Sequence, residues 1–139
     1  MQTSLLKSIR TETTLMNALS VWLIDDDPIQ NRINTRTIKR SLADCEVTTY
    51  SDSREALSIL KNQDEKPKLI FIDLNMPHMG GIDFIKEVSQ LDLDIPFIIL
   101  STAVDHTIEE FASEYSFVKK CIKKPLFSSD VAFLKSTPF

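Results

Sequence analysis

Val21-Trp22-Leu23-Ile24-Asp25-Asp26-Asp27-Pro28 decides the fold: four apolar residues run without interruption into three carboxylates and a proline. An unbroken apolar run of this length reads as a strand buried on both faces, the setting of a central strand in a parallel sheet. Pro28 suits the first turn of a helix, where no backbone N–H is needed. The acids therefore occupy a turn between a strand end and a helix start. Leu69-Ile70-Phe71-Ile72 and Phe97-Ile98-Ile99-Leu100 repeat the apolar run, the former leading into Asp73 and the latter into Ser101-Thr102.

Working outward, Glu46 to Tyr50 and Phe117 to Ile122 mix polar and apolar residues, as strands at sheet edges do. Helical stretches separate the strands. Ile108, Phe111, Ala112 and Tyr115 fall on one helical face, and Phe84, Val88 and Leu91 form a second stripe. Asp52 and Glu55 bracket a helix start in the manner of a capping box. The stretch from Pro28 to Leu42 is helical by position and by Pro28, although Ile29 and Ile33 lie on a different side from Ile38 and Leu42. After Pro125 only a short helix, from about Ser129, fits before Pro138.

Five alternations of strand and helix predict an α/β fold: a doubly wound, five-stranded parallel sheet covered on both faces. The order 2-1-3-4-5 puts the two mixed strands outside. Every strand then ends on one edge, where ligands gather in doubly wound sheets. Asp25, Asp26 and Asp27, then Asp73, then Ser101 and Thr102, then Lys123 and Lys124 all arrive there. Any one of these is an ordinary cap or surface residue, but helix capping does not account for acids, a hydroxyl and a cation converging. Two carboxylates about 4 Å apart repel by roughly 4 kcal/mol at an effective dielectric near 20, so the pocket demands a cation. Mg²⁺ prefers carboxylate and carbonyl oxygens and bridges them to phosphoryl groups. A carboxylate such as Asp73 can accept a phosphoryl group, with a hydroxyl and Lys124 binding its oxygens.

These residues resemble the response-regulator receiver family. The matching runs are Trp22 to Pro28, Ile72-Asp73-Leu74-Asn75-Met76-Pro77 with Gly80-Gly81, and Lys124-Pro125, spread over roughly Ser20 to Phe133. The resemblance implies a flavodoxin-like sheet, and the strand order is in part its implication. It implies that Asp73 is the phosphorylation site and that Mg²⁺ is held by Asp26, by Asp73, by Asp25 through water and by the Asn75 backbone carbonyl. Lys124 would pair with phosphoryl oxygens, a cis bond would join it to Pro125, and Asp27 would cap the following helix. The switch hydroxyl is Ser101 counted from Pro96, or Thr102 anchored on Ala103; Ser101 is preferred. Cys121 stands where the family often has an aromatic ring, which shifts the expected partner surface toward Ile108 to Tyr115.

The implied function is a single-domain response regulator that is phosphorylated by a histidine kinase or histidine-phosphotransfer protein and signals to a downstream protein, without being an enzyme in its own right. The 139 residues suit one domain: an extension over 1–19 and a receiver over 20–139, leaving no room for an output domain. The extension reads as a frayed polar tail rather than a loose helix carrying Leu5, Ile9, Met16 and Leu19, and Met16 offers a second start. It has no signal-peptide core. With 42% hydrophobic and 26% charged residues the composition is that of a globular, non-membrane protein, and a net charge of −4 without a basic stripe argues against nucleic acid. Cys45 and Cys121 read as reduced thiols, which suits cytoplasm. Trp22 reads as a core residue, His78 as exposed, and Glu109-Glu110 and Lys119-Lys120 as solvated.

Two competing functions remain. Asp25-x-Asp27 and Ser101 resemble parts of the haloacid-dehalogenase phosphatase pattern, which would make Asp25 the nucleophile. That family's late acidic pair is missing, and Asp73 to Pro77 would have no role. A receiver-like interaction module that no longer accepts phosphate is the other. A flavin site fails because the carboxylates after the first strand would repel its phosphate.

Overall fold

The computed structural model describes residues 19–62 and 65–136. The elements run β1 (Ser20–Ile24), α1 (Pro28–Ser41), β2 (Glu46–Tyr50), α2 (Ser53–Asn62), β3 (Leu69–Asp73), α3 (Gly81–Ser89), β4 (Phe97–Ser101), α4 (His106–Ser113), β5 (Val118–Lys123) and α5 (Ser128–Val131). A 3₁₀ turn over Ala132–Lys135 follows. All strands are parallel, in the order β2-β1-β3-β4-β5. The expected fold is borne out, including the short last helix. Apart from Leu19, the residues proposed for an N-terminal helix, and Pro138, lie outside the described residues.

The three apolar runs are the three central strands, buried along β3 and β4 from end to end. Alternation sends Trp22, Ile24, Ile70, Ile72, Phe97 and Ile99 to one face of the sheet and Val21, Leu23, Leu69, Phe71, Ile98 and Leu100 to the other. The first face is the aromatic one. Trp22 packs on Tyr50 with ring centroids 4.7 Å apart, and Phe97 contacts both Phe84 and Phe117. Phe111, Tyr115 and Phe117 extend the same cluster.

Helix α1 buries a face that hydropathy does not reveal. Asn31, Asn34 and Ile38 point inward, whereas Ile29 and Ile33 are 67% and 49% exposed. The spacing of three, then four, is helical, but two of the three residues are polar. Asp27 caps the helix as expected, accepting the N–H groups of Ile29 and Gln30. At α2 the Asp52 carboxylate accepts the Arg54 N–H at 2.9 Å and also pairs with the Arg54 guanidinium, so Arg54 rather than Glu55 is its recorded partner. Trp22 is fully in the core, and His78 is exposed with a left-handed φ of 68°. The two lysines at the other edge are exposed, as expected; Lys119 also donates to the Ser116 carbonyl and Lys120 lies 4.3 Å from the Phe133 ring centre.

Candidate phosphoacceptor site

The sheet geometry assembles the site. β1 and β3 are neighbours, in register from Val21 opposite Leu69 to Ile24 opposite Ile72, so Asp25 and Asp73 leave adjacent strand ends. Ladder-like hydrogen bonds continue past the strands and fix the outgoing chain. The Asp25 N–H donates to the Tyr50 carbonyl at 3.0 Å, and the Lys124 N–H donates to the Ser101 carbonyl at 2.8 Å. The peptide bond between Lys124 and Pro125 is cis, as the resemblance implies.

The result is a compact acidic pocket closed by one cation. Carboxylate oxygens of Asp25, Asp26 and Asp73 lie within 4.8 Å of one another. Asp25 and Asp73 are buried and Asp26 is exposed. Lys124 Nζ bridges the two buried acids, 2.9 Å from Asp25 Oδ2 and 3.1 Å from Asp73 Oδ2. The other oxygens are held by the backbone: Asp25 Oδ1 accepts the Asp27 N–H at 3.0 Å, and Asp73 Oδ1 accepts the Asn75 N–H at 3.2 Å. Burial pushes the Asp73 carboxyl above its ordinary value, with Lys124 and the Asn75 N–H only partly offsetting it. Burial pulls Lys124 down, but its bonds to the two carboxylates outweigh this and raise it. The ammonium is therefore firmly charged, and the acids form a set of hard oxygen donors suited to a divalent cation.

Ser101 is buried at the next strand end, its hydroxyl accepting the Ala103 N–H at 3.4 Å, whereas Thr102 is exposed. Ser101 thus sits buried at the end of β4 and Thr102 in the exposed turn after it. Asn75 is exposed two residues beyond Asp73. Sequence reasoning missed the supports beneath the pocket. Asn31 donates its carboxamide to the carbonyls of Asp25, at 2.9 Å, and Tyr50, at 3.4 Å, tying α1 to the acid loop. Ser53 donates to the Met79 carbonyl at 2.6 Å, anchoring the loop after Asp73 to α2. Gly81 lies against that loop: a Cβ there would come within 2.6 Å of the Asp73 carbonyl oxygen.

Similarity to known proteins agrees with this arrangement. Residues 21–132 match the family model of the response regulator receiver domain. The chain is 36% identical over 83 residues to the two-component response regulator ARR11 of Arabidopsis thaliana, a match covering 60% of this chain and 15% of that protein. It is 29% identical over 108 residues to response regulator Rcp1 of a Synechocystis strain, covering 73% of this chain and 72% of Rcp1. A two-component response regulator from Cytophaga hutchinsonii superposes with a TM-score of 0.77 at 26% identity, covering 86% of this chain and 96% of that one. With the 2-1-3-4-5 sheet and its acidic edge, the family match leaves the phosphatase and flavin readings without support. The chain belongs to the response-regulator receiver family of two-component systems.

Proposed function

We propose that the chain accepts a phosphoryl group on Asp73 from a phosphohistidine protein, either a histidine kinase or a histidine-phosphotransfer protein. The observation that carries this reading is the pairing of Asp73 Oδ2 with Lys124 Nζ at 3.1 Å beside two further carboxylates. The receiver unit spans 20–139 with 1–19 as an extension, and the setting is cytoplasmic. Among the described residues no helix is long and apolar enough to cross a membrane.

The chemistry follows from the side chains. An Asp73 carboxylate oxygen attacks phosphorus as the phosphorus–nitrogen bond breaks, and the imidazole leaves with the bonding electron pair. Lys124 exchanges one carboxylate partner for a phosphoryl oxygen. Ser101 donates its hydroxyl to another, and the turn from Ser101 through Thr102 follows it. Mg²⁺, held by Asp25, Asp26, Asp73 and the Asn75 backbone carbonyl, supplies charge neutralisation when bound. Output is a contact with a downstream protein, with α4 as its main surface. The chain is a phosphoacceptor rather than an enzyme acting on a separate substrate, and it does not engage nucleic acid. Exposed Ile29 and Ile33 on α1, the helix leaving the acid loop, and Phe127, three residues after Lys124, support a protein partner docking close to the pocket.

Incubation with Mg²⁺ and a small phosphodonor, followed by mass measurement and peptide mapping, tests the assignment. One phosphoryl group is expected on the wild type, mapping to Asp73, and none on Asp73→Asn. An adduct mapping to Asp25 would replace this reading with the phosphatase one.

A further inference from the structure

Helix α1 carries Arg32, Arg36, Lys39 and Arg40 and no acidic residue, in a chain whose net charge is −4. Two of these cations, Arg32 and Arg36, form with Pro28, Asn31 and Thr35 one wall of a groove of about 530 Å³. Its floor is Val47, Thr49 and Ser51, alternate residues of β2 and its exit that share one face of the sheet. No acid lines it. Among the described residues neither guanidinium makes an ion pair. Among the described residues β2 is an edge strand, paired only with β1 in the sheet. A second, independent observation concerns Asn31, which is 3% exposed. Its carboxamide nitrogen is used by Asp25 and Tyr50, but its oxygen has no hydrogen-bond partner, a state that buried polar atoms rarely tolerate.

We propose that this groove between α1 and β2 recognises an extended acidic segment of a partner protein. Arg32 and Arg36 are one turn apart, about 5 to 6 Å at the Cβ atoms. Carboxylates on alternate residues of an extended chain are about 6.6 Å apart, so an acid-x-acid segment presents one to each guanidinium. The Thr49 and Ser51 hydroxyls serve the polar groups between them. The unpartnered Asn31 oxygen lies buried behind this wall, where it meets the acid loop. A compact phosphate could engage one guanidinium but would leave most of the groove empty, which favours a peptide. The site is separate from Asp73, and its test does not depend on phosphorylation.

The probe is a capped peptide containing Glu-Thr-Glu, titrated into the isotope-labelled full chain and followed by the arginine side-chain and backbone resonances. Shifts confined to α1 and to Val47 through Ser51 are expected. Arg32→Glu combined with Arg36→Glu should weaken binding by about tenfold or more, while small-phosphodonor labelling of Asp73 proceeds at the wild-type rate. Three results would overturn the proposal: equal binding of the Gln-Thr-Gln peptide, shifts centred on Asp25 and Asp73 instead, or inorganic phosphate binding as tightly as the peptide. Arg32→Lys with Arg36→Lys keeps the charge and should retain part of the affinity; complete loss there, with folding intact by circular dichroism, would also count against it.

Discussion

Replacing Lys124 by Met keeps an unbranched chain of similar volume and removes the charge that bridges Asp25 and Asp73. Carboxylate oxygens of the two acids lie within 4.8 Å, which at an effective dielectric near 20 corresponds to a repulsion of about 3.5 kcal/mol when both are ionised. Lys124 Nζ, 2.9 and 3.1 Å from the two, outweighs that repulsion in the wild type. Without divalent cation, Lys124→Met should therefore lose about 3 kcal/mol of stability at pH 7, in line with breaking a buried pair by removing one partner. Protonating one carboxyl relieves the repulsion, at a cost of about 1.4 kcal/mol per pH unit above its unfolded value. That unfolded value is 3.8, so at pH 4.5 the loss should shrink to about 1 kcal/mol. The sign is fixed by linkage: the folded Asp73 carboxyl is already raised by burial and in the variant loses the Lys124 bond that offsets this, so it binds its proton more tightly than in the unfolded chain and the deficit narrows as pH falls. Urea unfolding by circular dichroism in chelator measures it at both pH values. Adding Asp25→Asn should recover most of the loss. A deficit below about 1 kcal/mol at pH 7, or one independent of pH, would refute the electrostatic account of the pocket.

Asp26→Ala should abolish Mg²⁺ binding in calorimetry and phosphodonor labelling, yet leave chelator-treated stability equal or higher, because it removes one of three mutually repelling acids. Gly81→Ala should cost about 2 kcal/mol in urea unfolding, since its Cβ would come within 2.6 Å of the Asp73 carbonyl and 2.9 Å of Leu74 Cα, both backbone atoms that cannot rotate away. Burial raises the Cys45 thiol from 9.0 to about 11; the unfolded chain then gives up that proton first, so stability should fall as pH rises through this window, and Cys45→Val should flatten the slope. In the native state half-exposed Cys121 should alkylate well before buried Cys45, as peptide mapping of a thiol-labelling time course would record.

How far the sequence reveals the molecule depends on what each residue's neighbours demand of it. The central strands are legible because burial on both faces forces runs such as Phe97 to Leu100 to be wholly apolar. The acid pocket is legible because each of its members follows a strand end, so topology alone brings them to one edge. Ser101 and Thr102 could not be told apart, since a shift of one residue at a strand end exchanges a buried position for an exposed one. The inward face of α1 was hidden because Asn31 is buried to hydrogen-bond the acid loop and Asn34 is buried accepting from Gln30, and hydropathy scores such residues as solvent-facing. Gly81 could be read as part of a motif, but the reason for it, a carbonyl oxygen in the space of its missing side chain, exists only in three dimensions.

The uneven distribution of rings over the sheet has a spectroscopic consequence. All the ring pairs described belong to the face that carries Trp22, Phe84 and Phe97, and the buried isoleucines packed with them there include Ile24, Ile70, Ile72 and Ile99 of the strands. The opposite face is mainly aliphatic, and among the described residues Phe71 is its only fully buried ring. Methyl protons on the first face sit in the magnetic shadow of aromatic currents and spread out in frequency, while those of Val21, Leu23 and Leu100 stay closer to ordinary positions. A methyl spectrum of this protein thus sorts itself by side of the sheet before a single resonance is assigned. An event beneath α3 and α4 and one beneath α1 would write to different regions of the same spectrum.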